Sequence, residues 1–312
     1  MRLLVRLLFC FTLLPALAAA YDADIVAEML QGQESIAGLR RHEAMLDGHK
    51  ISYLDNGRDK AGRTIMFVHG FGDSSVSWMF FSRIFRDGDY RIIVPDLLGF
   101  GRSGRPANAD YGYSAQAGRL LSLLKSLKVS SVHLVGNSMG GGVTAQIALL
   151  QPPMVASLTL MNSAGIHYKA TELDQEVLKG NNFLIPKTPE DFDRLMDFVT
   201  ARRPPLPQPV KEFLAERAVK DSVLHEKIFH DVLLRDVGFL AYGLADIKAP
   251  TLIVWGEKDR VLHPEGAKVF NRYIPGSHLH YFPGVGHLPM LEIPEESGLL
   301  VSRFIDEIAA AR

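Results

Sequence analysis

The apolar positions of this chain follow two patterns that alternate along its length. Short, nearly continuous apolar runs that end in polar or glycine-rich residues occupy residues 49–57, 64–70, 91–104, 131–137, 155–165 and 251–259. Apolar positions at helical spacing occupy residues 113–128, 139–151 and 294–311. Continuous apolar strands alternating with helices predict an α/β domain with a mostly parallel, doubly wound sheet covered by helices on both faces.

This alternation stops between residues 166 and 248, where no strand-like run occurs. The pattern of the segment predicts helices separated by the proline-rich stretch 202–209. We interpret this stretch as a rigid connector between two helices rather than as a polyproline ligand. Strand-like runs return after Pro250. We therefore predict one sheet domain, residues 41–165 and 249–312, interrupted by a helical lid of residues 166–248.

The N-terminus has a pattern of its own. Residues 1–20 carry two arginines, then an uncharged apolar run, then a stretch of alanines, which is the layout of a secretory signal peptide. The same residues would also serve as a retained membrane anchor, and either alternative predicts an exported protein. Residues 21–40 have helical apolar spacing and predict an amphipathic helix that packs on the body or lies on a bilayer.

Composition excludes several classes of function. The 312 residues have a formal net charge of −1 and no block of lysine and arginine, so no nucleic-acid partner is expected. The single cysteine, Cys10, lies in the N-terminal segment, which leaves the body without disulfide or thiol chemistry. No cluster of histidine, aspartate and glutamate has metal-ligand spacing, and no cofactor is predicted.

A candidate for chemistry lies at residues 134–144, LVGNSMGGGVT, where four glycines surround Ser138. Residues 136–140 match the pattern G-x-S-x-G between a predicted strand and a predicted helix, the context of a nucleophile elbow. The sharp turn needs residues without Cβ two positions before and two after the serine. A phosphate-binding loop and a simple tight turn are the alternatives; the strand–helix context favours Ser138 as a nucleophile.

From about residue 41 to residue 312 the chain resembles the α/β-hydrolase fold family, whose catalytic residues follow in the order Ser, acid, His. The resemblance implies that Asp259, which follows a late strand in WGEKD, is the acid. It implies that His287, in the loop before the last helix, is the base. Asp96, at the end of another predicted strand, is the rival acid.

Residues 69–78, HGFGDSSVSW, resemble the oxyanion loop of the same family. A tetrahedral intermediate needs two preorganised N–H donors for its negative charge. The resemblance implies the backbone N–H groups of Phe71 and Met139, with His69 as a structural residue that ties the loop. His133, His263, His278 and His280 lie in predicted strands or at a helix start and are weaker candidates for the base.

These residues imply a serine hydrolase that cleaves carboxylic esters through an acyl-enzyme. Serine at the elbow argues against the epoxide hydrolase and dehalogenase branches, which need aspartate there. The apolar lid and the N-terminal segment resemble membrane-associated bacterial esterases and phospholipases A, which implies a small-molecule or lipid ester substrate and membrane association through the N-terminus. Two alternatives stay open: a C–C bond hydrolase of ring-cleavage diketones, and a ligand receptor that retains the triad.

Overall fold

The computed structural model describes residues 23–234 and 238–310. The predicted signal peptide or anchor, residues 1–20, lies outside these ranges. Within them, no helix is both long enough and apolar enough to cross a membrane.

Eight strands form one sheet in the order β1-β2-β4-β3-β5-β6-β7-β8. The strands are β1 (Arg40–Leu46), β2 (His49–Asp55), β3 (Arg63–Val68), β4 (Tyr90–Pro95), β5 (Val132–Asn137), β6 (Val155–Met161), β7 (Thr251–Gly256) and β8 (His278–Phe282). β2 is antiparallel to both of its neighbours, and all other pairs are parallel. The mostly parallel sheet predicted from the apolar runs is therefore confirmed.

The described residues contain the helices α1 (Ala23–Ile36), α2 (Met79–Ser82), α3 (Tyr113–Ser126), α4 (Met139–Leu150), α5 (Glu172–Leu178), α6 (Asp191–Val199), α7 (Gln208–Lys220), α8 (Ser222–Phe229), α9 (Gly266–Tyr273), α10 (Pro289–Glu292) and α11 (Pro294–Ala310). A π-helical turn, His230–Leu234, follows α8. Helices α5 to α8 fall between β6 and β7, within the segment predicted as a lid. Its role as a lid stays a prediction.

The sheet is the centre of two apolar cores, one on each face. Strands β4, β5, β6 and β7 are buried at every position, which explains their continuous apolar runs. Alternate residues of one strand enter opposite cores: Ile65 and Phe67 pack on one side, Met66 and Val68 on the other. The carboxyl ends of the parallel strands meet at one edge, where loops position polar side chains.

The N-terminal helix is shorter than the sequence pattern predicts. α1 ends at Ile36, and Arg40 begins β1. Gly38, with φ +74°, reverses the chain between the two elements. Strand β1 was not predicted because only Leu46, its last residue, is buried, and its remaining positions mix polar and apolar residues.

Candidate active site

Ser138 lies at the turn between β5 and α4 with φ 53° and ψ −122°, a conformation that non-glycine residues rarely adopt. The glycines two residues before and two residues after Ser138 have no room for a side chain. A Cβ on Gly136 would lie 2.3 Å from the carbonyl oxygen of Gly140, and one on Gly140 would lie 2.3 Å from that of Val68. The backbone is therefore held in a strained elbow that presents Ser138 at the carboxyl edge of the sheet.

Asp259 and His287 form a buried pair at the same edge. Asp259 Oδ2 lies 2.9 Å from His287 Nδ1, and the two side chains are 0% and 5% exposed. The other oxygen, Oδ1, accepts the backbone N–H groups of Val261 and Leu262 at 2.9 and 3.0 Å. The carboxylate accepts the Nδ1 proton of His287, which leaves Nε2 of the neutral ring as a proton acceptor.

Two asparagines that the sequence did not single out support this pair. The side-chain amide of Asn162, directly after β6, donates to Asp259 Oδ2 at 2.7 Å. The side-chain amide of Asn137 donates to the carbonyl oxygen of His287 at 3.0 Å. Their positions at the carboxyl ends of parallel strands are the signal that could have identified them.

Glu292 holds the loop of His287 against the helical insertion. Its carboxylate accepts the backbone N–H of Gly286 at 3.0 Å and those of Ala201 and Arg202 at 3.0 and 3.1 Å. Burial raises the pKa of Glu292, and these N–H groups act in the opposite direction. The backbone N–H of His287 itself donates to the carbonyl oxygen of Val199 at 2.9 Å. The loop is thus hydrogen-bonded to residues 199–202, at the end of α6 and just after it.

The predicted oxyanion loop lies against the elbow. A Cβ on Gly70 would be 3.0 Å from Cβ of Ser138. Phe71, the next residue in the chain, therefore lies close to the proposed nucleophile. Met139 is the first residue of α4, where helical N–H groups have no intrahelical partner. His69 is buried; its Nδ1 contacts the carbonyl oxygen of Gly70 at 2.7 Å, and its Nε2 accepts the N–H of Leu97 at 2.9 Å. Both of its ring nitrogens are engaged in holding the backbone.

Asp96, the alternative candidate for the acid, is surrounded by hydrogen-bond donors that hold loops and the N-terminal helix together. Its carboxylate accepts from Arg41 Nη1 at 3.0 Å and from the backbone N–H groups of Ser75 and Arg102 at 2.7 and 2.8 Å. Arg41 in turn binds Glu34 of α1 at 2.6 Å. Asp96 therefore anchors loops and the N-terminal helix, and it is Asp259 that the structure places beside His287.

A cavity of about 500 Å³ contains Ser138, His287 and Phe71 in its wall. Its apolar wall comes largely from the insertion and from the loop and helix after His287: Leu184, Phe192, Leu195, Met196, Val199, Phe213, Leu214, Leu288 and Leu291. His225 of α8 also lines it, buried between Phe71 and Phe100 with ring centroids 5.6 and 5.1 Å away. Burial lowers the pKa of His225 to about 4. Within the described ranges, no group of three or more histidine, cysteine, aspartate or glutamate residues could hold a metal ion.

Comparisons with known proteins identify the family of this chain. Residues 63–294 match the family model of the alpha/beta hydrolase fold. Lipase 1 of Psychrobacter immobilis is 38% identical over 257 residues, which cover 81% of this chain and 80% of that protein. A solved structure of a membrane phospholipase A, a bacterial virulence factor, aligns with TM-score 0.89 and 36% identity over 92% of each chain. The 2-hydroxymuconate semialdehyde hydrolase of a Pseudomonas species is 31% identical over 280 residues, 86% of this chain and 95% of that protein.

The family model covers most of the chain, and the lipase and the phospholipase are more similar to it than the semialdehyde hydrolase is. The protein is thus an ester hydrolase of the serine type, and the chain belongs to the α/β-hydrolase fold family, in its esterase and lipase branch.

Proposed function

We propose that this protein hydrolyses lipid carboxylic esters, with Ser138 as the nucleophile, His287 as the base and Asp259 as the acid. The observation that carries the proposal is the buried pair of Asp259 Oδ2 and His287 Nδ1, 2.9 Å apart, in which His287 lines the same cavity as Ser138. The chemistry of these three side chains, in this order along the chain, is acyl transfer to water.

The steps follow from the chemistry of these side chains and of the elbow and oxyanion loop. Ser138 Oγ attacks the acyl carbonyl carbon while His287 Nε2 takes its proton, and Asp259 stabilises the imidazolium. The N–H groups of Phe71 and Met139 hold the oxyanion, which collapses to an acyl-enzyme as His287 protonates the leaving alcohol. Water, deprotonated by His287, attacks the acyl carbonyl, and the fatty acid leaves with Ser138 restored.

The lipid nature of the substrate is supported by the shape and lining of the cavity. An apolar space of about 500 Å³ suits an alkyl chain, and its wall comes from helices α6 and α7 as well as from the core. We propose that residues 166–248 act as a lid over this space. The likeness to a lipase and to a membrane phospholipase A supports the same substrate class.

We also propose that the protein is exported and associates with a membrane through residues 1–20, followed by α1 from residue 23. The two arginines and the apolar run support this, as does the likeness to a membrane phospholipase A. Fractionation with N-terminal sequencing tests it. Intact Met1 in the membrane fraction is the expected result. A soluble protein that begins near residue 21 would show a cleaved signal peptide and overturn the membrane association.

Replacement of the proposed nucleophile tests the function. Ser138→Ala is expected to reduce fatty acid release from monoacylglycerol and lysophospholipid by about 10⁴-fold or more, at an unchanged melting temperature. A fluorophosphonate probe should label the wild type at Ser138 and leave the variant unlabelled. Activity of Ser138→Ala near that of the wild type would contradict the proposal.

A second candidate is the hydrolysis of carbon–carbon bonds in ring-cleavage diketones. The likeness to 2-hydroxymuconate semialdehyde hydrolase, which covers 86% of this chain, favours it as the alternative. A spectrophotometric assay with ring-cleavage products discriminates the two. We expect hydrolysis of these products to be at least 100-fold slower than that of acyl esters, and a faster rate would reverse the assignment.

A further inference from the structure

Arg217, in the last turn of α7, lines the cavity that contains Ser138. About a third of its side chain (31%) is exposed. Its carboxylate neighbour is Asp221, whose Oδ2 lies 3.8 Å from Arg217 Nε. Asp221 is already engaged by Arg105, which donates from Nε and Nη2 at 3.0 and 2.8 Å. The charge of Arg217 is therefore only partly compensated.

A second arginine increases this excess of positive charge. Arg102 is exposed at the wall of the same cavity, and its guanidinium forms no ion pair with any residue in the described ranges. Burial, together with the charges of Arg105 and Arg102, lowers the pKa of Arg217, and Asp221 and Asp96 act against this. The side chain of Arg217 is two-thirds buried, so its charge is only partly solvated, and an anion bound between it and Arg102 would be stabilised by both.

Two helical turns separate Arg217 from His225, which contacts the oxyanion loop. The backbone of Asp221 donates to the carbonyl oxygen of Arg217, and that of His225 donates to Asp221, so each step is one helical turn of about 5 Å. The ring of His225 lies 5.6 Å from that of Phe71, in the oxyanion loop. Arg217 thus lies two helical turns along the chain from the residue that packs on Phe71, and it lines the same cavity as Ser138.

The apolar part of the cavity is formed by other residues. Leu184, Leu195, Met196 and Leu288 line it, next to His287 and Ser138. The carboxylates of Asp96 and Asp221, which also line it, are bound by Arg41 and Arg105. The cavity thus offers an apolar space and the two arginines, with the proposed nucleophile in the same wall. A molecule that fills both has an alkyl chain and an anionic group joined near an ester, which describes a glycerophospholipid.

We propose that Arg217 and Arg102 form an anion subsite that binds the phosphate of a glycerophospholipid, so that the enzyme prefers phosphate-bearing acyl esters to neutral acylglycerols. The proposal rests on the proposed function, because it assumes that the ester is cleaved at Ser138. Guanidinium groups suit this role because their paired N–H donors match two phosphate oxygens.

The test compares two substrates that differ in the phosphate group. Oleoyl lysophosphatidylglycerol and monooleoylglycerol are presented in the same mixed micelles to the full-length protein, and kcat/KM is measured for each. Arg217→Gln and Arg102→Gln should each lower kcat/KM for the lysophospholipid about ten- to a hundred-fold, the effect of one charged hydrogen-bonding group. Monooleoylglycerol should be hydrolysed as by the wild type, which also shows that the variants fold.

Lys220→Gln is the matched control, because Lys220 is an exposed cation on the same helix and does not line the cavity. It should leave both substrates unaffected, and Arg217→Lys should retain part of the preference. Equal losses on both substrates, no loss on either, or a wild type that prefers monooleoylglycerol would overturn the proposal. Inhibition by oleate that disappears in Arg217→Gln, with an unchanged lysophospholipid preference, would assign the subsite to the product carboxylate and likewise overturn it.

Failure of the subsite and failure of the proposed function give different results. If Ser138→Ala abolishes hydrolysis of both lipids and the arginine variants do not change the preference, only the subsite is wrong. If Ser138→Ala remains active, or the wild type hydrolyses neither lipid, the proposed function is wrong and the subsite fails with it.

Discussion

The side-chain amide of Asn162 donates to Oδ2 of Asp259 at 2.7 Å, the same oxygen that lies 2.9 Å from His287 Nδ1. One carboxylate oxygen is therefore shared between the proposed base and an amide on a neighbouring strand end. This arrangement fixes the rotation of the carboxylate, because Oδ1 is held separately by the backbone N–H groups of Val261 and Leu262. The position of the imidazole follows from these contacts.

Removal of the Asn162 amide should reduce kcat about tenfold, since a charged hydrogen bond to Asp259 is lost. Asn162 has φ 44°, so alanine also introduces backbone strain, and glycine does not. Asn162→Ala and Asn162→Gly should therefore lose similar activity, and the alanine variant should unfold at lower denaturant concentration. An active Asn162→Gly enzyme would show that only the backbone conformation matters.

Asp259→Asn should abolish most activity while the protein stays folded. An amide facing His287 Nδ1 donates a proton there, so Nε2 becomes protonated and no longer accepts the serine proton. We expect kcat to fall about 10³- to 10⁴-fold. Asp96→Asn is the comparison, because Asp96 binds Arg41; it should lower stability and retain most of the activity of the folded fraction. The opposite ranking would make Asp96 the acid.

Glu292→Gln should lower kcat about tenfold, because an uncharged amide accepts the N–H groups of Gly286 and Ala201 less strongly and the loop of His287 is less well positioned. The rate of labelling of Ser138 by a fluorophosphonate should fall in parallel. Glu296→Gln, at an exposed position of α11, provides the control and should behave as the wild type. A variant with a normal labelling rate and a lower melting temperature would assign Glu292 to stability alone.

Gly140→Ala should destabilise the fold by about 3 kcal/mol or more, because its Cβ would lie 2.3 Å from the carbonyl oxygen of Val68. Gly32→Ala is the matched change. Gly32 lies in the exposed interior of α1 with nothing within 4 Å of the added Cβ, so stability should rise by about 0.5–1 kcal/mol. Urea denaturation measures both, and a harmless Gly140→Ala would contradict the described elbow.

His225 should make stability depend on pH. Its pKa is lowered to about 4 in the folded protein from 6.5, so between pH 6.5 and pH 4 the unfolded chain binds the additional proton. The free energy of unfolding should therefore decrease as the pH falls through this window, by up to about 3 kcal/mol. His225→Phe should flatten this dependence, and His230→Gln, at an exposed position, should not. Parallel curves for His225→Phe and the wild type would exclude His225 as the source.

The sequence predicts the local features of this site better than its long-range contacts. Ser138 is recognisable because two glycines and a strand–helix boundary lie within a few residues of it. Asp259 and His287 were implied only by the resemblance to the α/β-hydrolase fold family, and the structure places their side chains 2.9 Å apart. The contact of Glu292 with Ala201 joins residues 91 positions apart, so neither periodicity nor spacing indicates it. Strand β1 was missed since its mixed polar pattern lacks the continuous run of a buried strand.

The hydrogen bond from the backbone N–H of His287 to the carbonyl oxygen of Val199 limits which residues of the helical insertion can be replaced by those of a relative. Residues 199–202 lie within the segment predicted as a lid, yet they form part of the support of the proposed base. Transplanting a whole insertion from a relative at its outer boundaries would remove this support together with the cavity wall. A graft that replaces residues 166–198 and 203–248 and keeps Val199 to Arg202 should alter the range of substrates. It should preserve the position of His287, and with it the rate of the chemical step.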